Sequence, residues 1–164
     1  RGVFEYVSLF FVVFSIAMMV VRPYTGHLYD TKGPNSVIYP SLILFAVGLF
    51  LISTMHTVLV LLIAAVFIGI GYGSLIPCFQ AYAIQSAEKH RSSHATSTFF
   101  TLFDLGMATG AFVLGIVSAQ WGYSALYIVC GIIVVLTIPV YRLIINKKST
   151  KHYHETMLVK ESNE

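Results

Sequence analysis

Apolar residues cluster into five long runs, at roughly 3–25, 36–53, 57–85, 95–118 and 124–145, and short polar stretches separate them. A helix needs about 20 predominantly apolar residues to cross the hydrocarbon of a bilayer. The second run is slightly short, and the others are long enough to tilt. Inside a bilayer the backbone must satisfy its own hydrogen bonds, so runs of this length are predicted to be helices. A membrane barrel would alternate polar and apolar positions over about 10 residues, and these runs do not. The pattern predicts an all-α membrane protein, with a bundle of five transmembrane helices over 1–146. The polar remainder, 147–164, reads as a flexible cytoplasmic tail.

Polar positions within a span are costly and usually face the bundle interior. In the first span Glu5, Ser8, Val12, Ser15, Met19 and Arg22 recur every three or four residues and share one helix face. In the fourth span Ser97, Thr101, Asp104, Ala108, Ala111 and Gly115 form a stripe that is small or polar throughout. Asp104 lies near mid-span, where a carboxylate costs about 2.5–3.5 kcal/mol on insertion scales. Two roles fit it: a proton or substrate site, or a structural acid paired for rigidity. Arg22 lies near a helix end and either contributes to a gate or snorkels to the interface. Gly71, Ser74, Cys78 and Gln85, with Gln80 beside them, make a weaker polar face on the third span. The second and fifth spans carry almost nothing polar. These contrasts predict that spans one, three and four look inward on a polar pathway, shielded by spans two and five.

Glycines add a second pattern. Gly69 and Gly73 form a small-xxx-small surface on the third span, near Pro77, and Gly106 and Gly110 form another on the fourth. Close helix packing explains both, and a hinge for rocking is the alternative. A shift of 89 residues carries Gly26 onto Gly115 and Gly33 onto Gly122. It also aligns span one with four and span two with five, with the matched turns on opposite membrane sides. That is the pattern of an inverted repeat. A three-helix repeat would want one more helix before span one, and the opening residue, Arg1, is consistent with missing upstream sequence.

Composition agrees with the membrane class: 57% of residues are hydrophobic and 10% charged, against about 25% charged in soluble domains. Loop charge alternates along the chain. Arg22 and Lys32 flank the first connection, Lys89 and Arg91 lie in the third, and Arg142, Lys147, Lys148 and Lys151 mark the tail. The second and fourth connections carry no Lys or Arg. The positive-inside rule therefore makes the first and third connections and the C-terminus cytoplasmic, with Trp121 and Tyr123 as outer interfacial anchors. The net charge of +3 is scattered rather than gathered on one face, which excludes a nucleic-acid surface. Cys78 and Cys130 sit in apolar runs as core residues, and no cofactor is implied. His152 and His154 read as a solvated pair. His90 and His94 lack the Glu of H-E-x-x-H, so neither pair suggests a metal site or an enzyme. No filter sequence suggests a channel.

The stretch "GHLYDTKG", Gly26 to Gly33, resembles the signature loop of the major facilitator superfamily. "RPYTG", "GIGYGSLIP", "SSHATSTFFTLFDLGMATGAFVLG" and "WGYSALY" look like segments of the second half of such transporters. The resemblance covers 5–145. It implies helices eight to twelve of a twelve-helix secondary transporter, with helices nine and twelve outside the cavity. The group that looks most similar is bacterial proton-coupled exporters of drugs or small metabolites, in the inner membrane. A small-molecule substrate, protons, the lipid bilayer and the missing N-terminal helices are the implied partners. Arg22, Gly26, Asp30, Lys32 and Gly33 would form the cytoplasmic gate, with Asp30 docking at the start of span four near Ser92 to Ala95. Asp104, Thr101, Ser97, Ser15 and Gln80 would line the proton or substrate path. Three positions depart from the family pattern: Tyr29 replaces a small residue, Thr31 a basic one, and Pro34-Asn35 a basic run. A structural or regulatory membrane subunit derived from a transporter half is the alternative function.

Overall fold

The computed structural model describes the backbone of residues 3–54, 57–85 and 92–161, and the side chains of 6–54, 57–85 and 93–143. Glu5, Lys89, His90, Arg91, Lys147, Lys148, Lys151, His152 and His154 therefore lie outside the residues whose side chains are described. The chain folds as α1 (Val3–Lys32), α2 (Asn35–Ser53), α3 (Val58–Gln85) and α4 (Ser92–Glu161). Gly122, at φ 79° and ψ 174°, breaks α4 into a first arm and a second arm. Four helical runs are long and apolar enough to cross a membrane: Tyr6–Lys32, Asn35–Ser53, Val58–Gln85 and Ser93–Leu143. The last of these supplies two spans, because each arm on either side of Gly122 exceeds the required ~20 residues.

The helices outrun the predicted spans. α1 does not stop at Gly26; the stretch "HLYDTK" stays helical and only Gly33 and Pro34 turn. One glycine inside a helix costs about 0.5–1 kcal/mol, which a long helix tolerates. The polar signature stretch is thus the last turns of α1 rather than a loop. α4 likewise continues helically to Glu161, through the segment expected to be a flexible tail. That segment contains neither Gly nor Pro to stop it.

α2 and α3 pack along each other at the centre; α1 lies on α3, and α4 on α2. The backbones of α1 and α4 do not approach one another among the described residues. α2 does not face lipid all round as its uniform apolarity suggested. Val37, Ile38, Ser41, Leu42, Ala46, Gly48 and Leu49 recur at helical spacing and are buried. In lipid no hydrophobic force separates one apolar face from another, so shape decides which face packs. On α3, Gly71, Ser74 and Cys78 are buried in the helix interface rather than lining a polar path. The Ser74 hydroxyl donates to the Ile70 carbonyl at 2.7 Å, so it packs as a small residue.

Glycine sets the closest approaches. A β-carbon at Gly69 would lie 2.7 Å from the Phe14 carbonyl oxygen and 2.8 Å from the Ala17 β-carbon. One at Gly73 would meet Met18 at 2.7 Å, and one at Gly71 would meet the Phe45 backbone of α2 at 2.7 Å. Successive odd positions of α3 thus admit α1 and α2 alternately. Tyr72 lies between them, with its ring 6.3 Å from Phe14 and 5.9 Å from Phe45.

Candidate functional site

The two ends of the bundle differ. At one end α1 finishes, α2 begins, α3 finishes, and the second arm of α4 passes at Tyr141. Gly33 closes α1 in the left-handed conformation (φ 84°), and its N–H donates to the Tyr29 carbonyl at 2.9 Å. This is the αL cap that glycine adopts without penalty. Pro34 follows with φ −60°, preset for a helix start, and its carbonyl accepts from the Val37 and Ile38 N–H groups. The replacement of a basic run by Pro34-Asn35 therefore starts α2 at once.

The other family departures also have structural reasons. Tyr29 is buried, and its hydroxyl donates to Gln85 Oε1 of α3 at 3.2 Å. Tyr141 of the second arm is buried too, and donates to Asn35 Oδ1 of α2 at 3.1 Å. Tyr39 and Phe79 meet the Tyr141 ring edge-on at 5.4 and 6.1 Å. The Thr31 hydroxyl donates to the His27 carbonyl at 2.8 Å. Two tyrosine hydroxyls thus tie the helices in pairs at this end, α1 to α3 and α4 to α2. Sequence reading treated Tyr29 only as a departure and passed over Tyr141; no local motif marks a contact between residues 106 positions apart.

Asp30 and Lys32 are exposed on the last turn of α1. Lys32 suits the negative end of the helix dipole, and Asp30 opposes it. Arg22 is exposed, with its guanidinium 3.6 Å from Met18 Sδ. It lies eight positions before Asp30, about 12 Å of helical rise, and does not hold the carboxylate. Nor does Asp30 dock on the start of α4, because α1 and α4 stay apart in this conformation. Gly26 is exposed, with open space around it.

Most of the path residues are exposed. Ser15 on α1 and Ser97, Thr101 and Asp104 on the first arm are exposed, and Gln80 on α3 is half-buried. The Ser97 and Thr101 hydroxyls donate to the carbonyls four residues back, at 3.0 and 2.9 Å. Asp104 carries the only acidic side chain on this arm's stripe, about 17 Å along the helix from Ser93. Gly106 and Gly110 have no neighbour within 4 Å of an added β-carbon, and Pro77 is exposed within a continuous α3.

At the other end an apolar cavity of about 520 Å³ opens between Tyr6 and Phe10 of α1 and Tyr123 and Tyr127 of the second arm. The Ser53 hydroxyl donates to the Ser124 carbonyl there, at 3.1 Å. Trp121 and Tyr123 are exposed on either side of Gly122.

Helix geometry deepens the repeat. Gly33 and Gly122, matched by the shift of 89, are the two glycines with positive φ among the described residues. The same shift carries Phe10, Phe11 and Phe14 onto Phe99, Phe100 and Phe103. The ring geometry is carried with them. Phe10–Phe11 and Phe99–Phe100 are edge-on at 5.6 and 5.5 Å, and Phe10–Phe14 and Phe99–Phe103 stack at 6.3 and 6.2 Å. Ser8, Val12, Ser15, Met19 and Arg22 fall on Ser97, Thr101, Asp104, Ala108 and Ala111, so the two polar stripes are one face repeated. "FFVVF" and "FFTLF" strengthen the repeat that glycine spacing and span polarity mark in the sequence.

The chain is similar in sequence to known proteins. The chain is 28% identical over 119 residues to the multidrug resistance protein MdtG of Erwinia billingiae, covering 73% of this chain and 29% of that protein. It is 29% identical over 114 residues to MdtG of Klebsiella pneumoniae, covering 70% and 28%. Against the uncharacterized MFS-type transporter MJ1560 of Methanocaldococcus jannaschii it is 29% identical over 131 residues, covering 76% and 34%. The matches thus span about a third or less of these relatives' length. No solved structure matches the chain. The family model described as Major Facilitator Superfamily matches residues 4–160, nearly the whole chain, and the chain belongs to that superfamily of all-α membrane transporters.

Proposed function

We propose that the chain is the part of a secondary transporter corresponding to helices eight to twelve, and that the whole protein moves a small organic solute by alternating access. The observation that carries this reading is the repeated polar stripe. α1 and the first arm of α4 carry their polar stripes at matched positions, and the described residues of both stripes are exposed. Packing explains the buried faces of α2 and α3, but a carboxylate exposed at mid-span needs another reason. A polar pathway shared with further helices supplies one. The MdtG relatives are named for multidrug resistance, which favours efflux as the direction. Proton exchange is the coupling proposed, with Asp104 as the carrier. A bacterial inner membrane, with the C-terminus in the cytoplasm, follows from those relatives and from loop charge.

Asp30 has a separate role in this reading. At the end of α1 it opposes the helix dipole. At the start of α4 a carboxylate would gain about 0.3–1 kcal/mol, and up to ~2 when partly buried. Docking there in the outward-facing state would make it a latch, released in the conformation described here.

The test is proton-coupled transport by the full-length protein in proteoliposomes. Asp104→Asn is expected to abolish coupling while leaving insertion intact. Wild-type coupling in that variant would sink the carrier role. Absence of uptake or efflux of any candidate solute by the wild-type protein would favour a structural or regulatory subunit.

A further inference from the structure

Each polar stripe carries one charge among the described residues, Arg22 on α1 and Asp104 on the first arm of α4. Sequence alone left two roles for Arg22, a gate or a snorkelling base at a helix end. The helix does not end there. α1 continues ten positions past Arg22 to Lys32, about 15 Å of rise, so the guanidinium lies well below that end. It also leans the other way. Its Nη2 lies 3.6 Å from Sδ of Met18, one turn back along α1, so it points into the span instead of snorkelling out.

No described carboxylate neutralises it. Those are Asp30 and Asp104. Asp30 lies about 12 Å further along α1, and Asp104 belongs to an arm whose backbone does not approach α1. Depth nevertheless pairs Arg22 with Asp104. Tyr6 and Tyr123 line one cavity, so α1 and the first arm share that end. From there Arg22 lies 16 positions along from Tyr6, and Asp104 lies 18 positions back from Gly122, about 24 and 27 Å of rise. The two charges thus stand within about a turn of one level, on faces that the repeat makes equivalent.

We infer that Arg22 receives an oxyanion group of the transported solute (carboxylate, phosphate or sulfonate) carried on an apolar body. The inference rests on reading the two stripes as walls of one pathway. An unpaired guanidinium at this depth is costly, and a bidentate oxyanion is the partner its fork fits best. Met18 and Met19 lie beside it, and Met19 is 79% exposed, which gives the apolar body an adaptable surface. Lipid phosphates carry the same chemistry, but they lie at the membrane surface rather than at this depth.

The experiment uses the full-length protein with Met19→Cys, in sealed membrane vesicles of both orientations. A membrane-impermeant methanethiosulfonate labels position 19, and peptide mapping reads the extent. Octanesulfonate, below its micelle concentration, is expected to slow labelling severalfold, and octyltrimethylammonium at the same concentration is expected to leave it unchanged. Arg22→Gln is expected to abolish the protection, and Arg22→Lys to keep part of it. No labelling in either orientation would mean a stripe facing lipid, with a lipid phosphate as the only anion in reach, and would overturn the inference. So would equal protection by both probes, no protection by either, or undiminished protection in Arg22→Gln. The comparison of the two probes is made with Arg22 in place, so a Gln variant that fails to insert leaves it decisive. Anion-selective protection in a protein that transports nothing would overturn the transporter reading and keep the anion site.

Discussion

Replacing Gly69 by alanine adds one methyl group where the α1 backbone lies close against α3. The new carbon would lie 2.7 Å from the Phe14 carbonyl oxygen and 2.8 Å from the Ala17 β-carbon. Carbon contacts prefer about 3.5–4.0 Å. The nearest obstacle is backbone, so no rotamer change relieves it. The helices must separate by roughly 0.5–1 Å, which forfeits about a quarter to a half of the dispersion energy along the interface. In a bilayer that energy is much of what holds helices together, because lipid competes equally for apolar surface. Overpacking of this kind costs about 1–3 kcal/mol. Gly106→Ala is the control: its β-carbon meets nothing within 4 Å, and relief of the helical glycine should stabilise the protein by about 0.5–1 kcal/mol. Unfolding of the purified protein by sodium dodecyl sulfate in mixed micelles, followed by circular dichroism, measures both. Equal midpoints for the two variants, or a more stable Gly69→Ala, would refute the close approach assigned to α1 and α3.

Other outcomes follow from the same geometry. Gly122→Ala places a β-carbon at φ 79°, ψ 174°, a region essentially reserved for glycine, and should cost about 1–3 kcal/mol in the same unfolding assay. Gly33→Ala, at φ 84°, should cost about 1–2 kcal/mol. Tyr141→Phe removes the bond to Asn35 Oδ1, with an expected loss of about 0.5–1.5 kcal/mol, and the same holds for Tyr29→Phe and Gln85. Asp30→Asn should shift cysteine accessibility of the full-length protein towards the inward-facing pattern; an unchanged pattern would remove the latch.

The sequence by itself determined the class. Long apolar runs leave the backbone no choice in lipid but helices. It also carried the repeat: Gly33 and Gly122 are matched by spacing, and both adopt the positive φ that only glycine takes without strain. Gly69 and Gly73 were legible as a packing surface, though not the helix they receive. Tertiary structure decided which faces meet. Apolar residues look alike to lipid, so hydropathy could not show that α2 has a buried side, or that Ser74 serves packing rather than a polar path. It decided that Tyr29 and Tyr141, far apart in the chain, close the same end of the bundle through single hydroxyl bonds. It also separated Gly69 and Gly73 from Gly106 and Gly110, two identical motifs of which one is filled and one open. A small-xxx-small pattern states that a helix can approach, and only the arrangement of neighbours states whether one does.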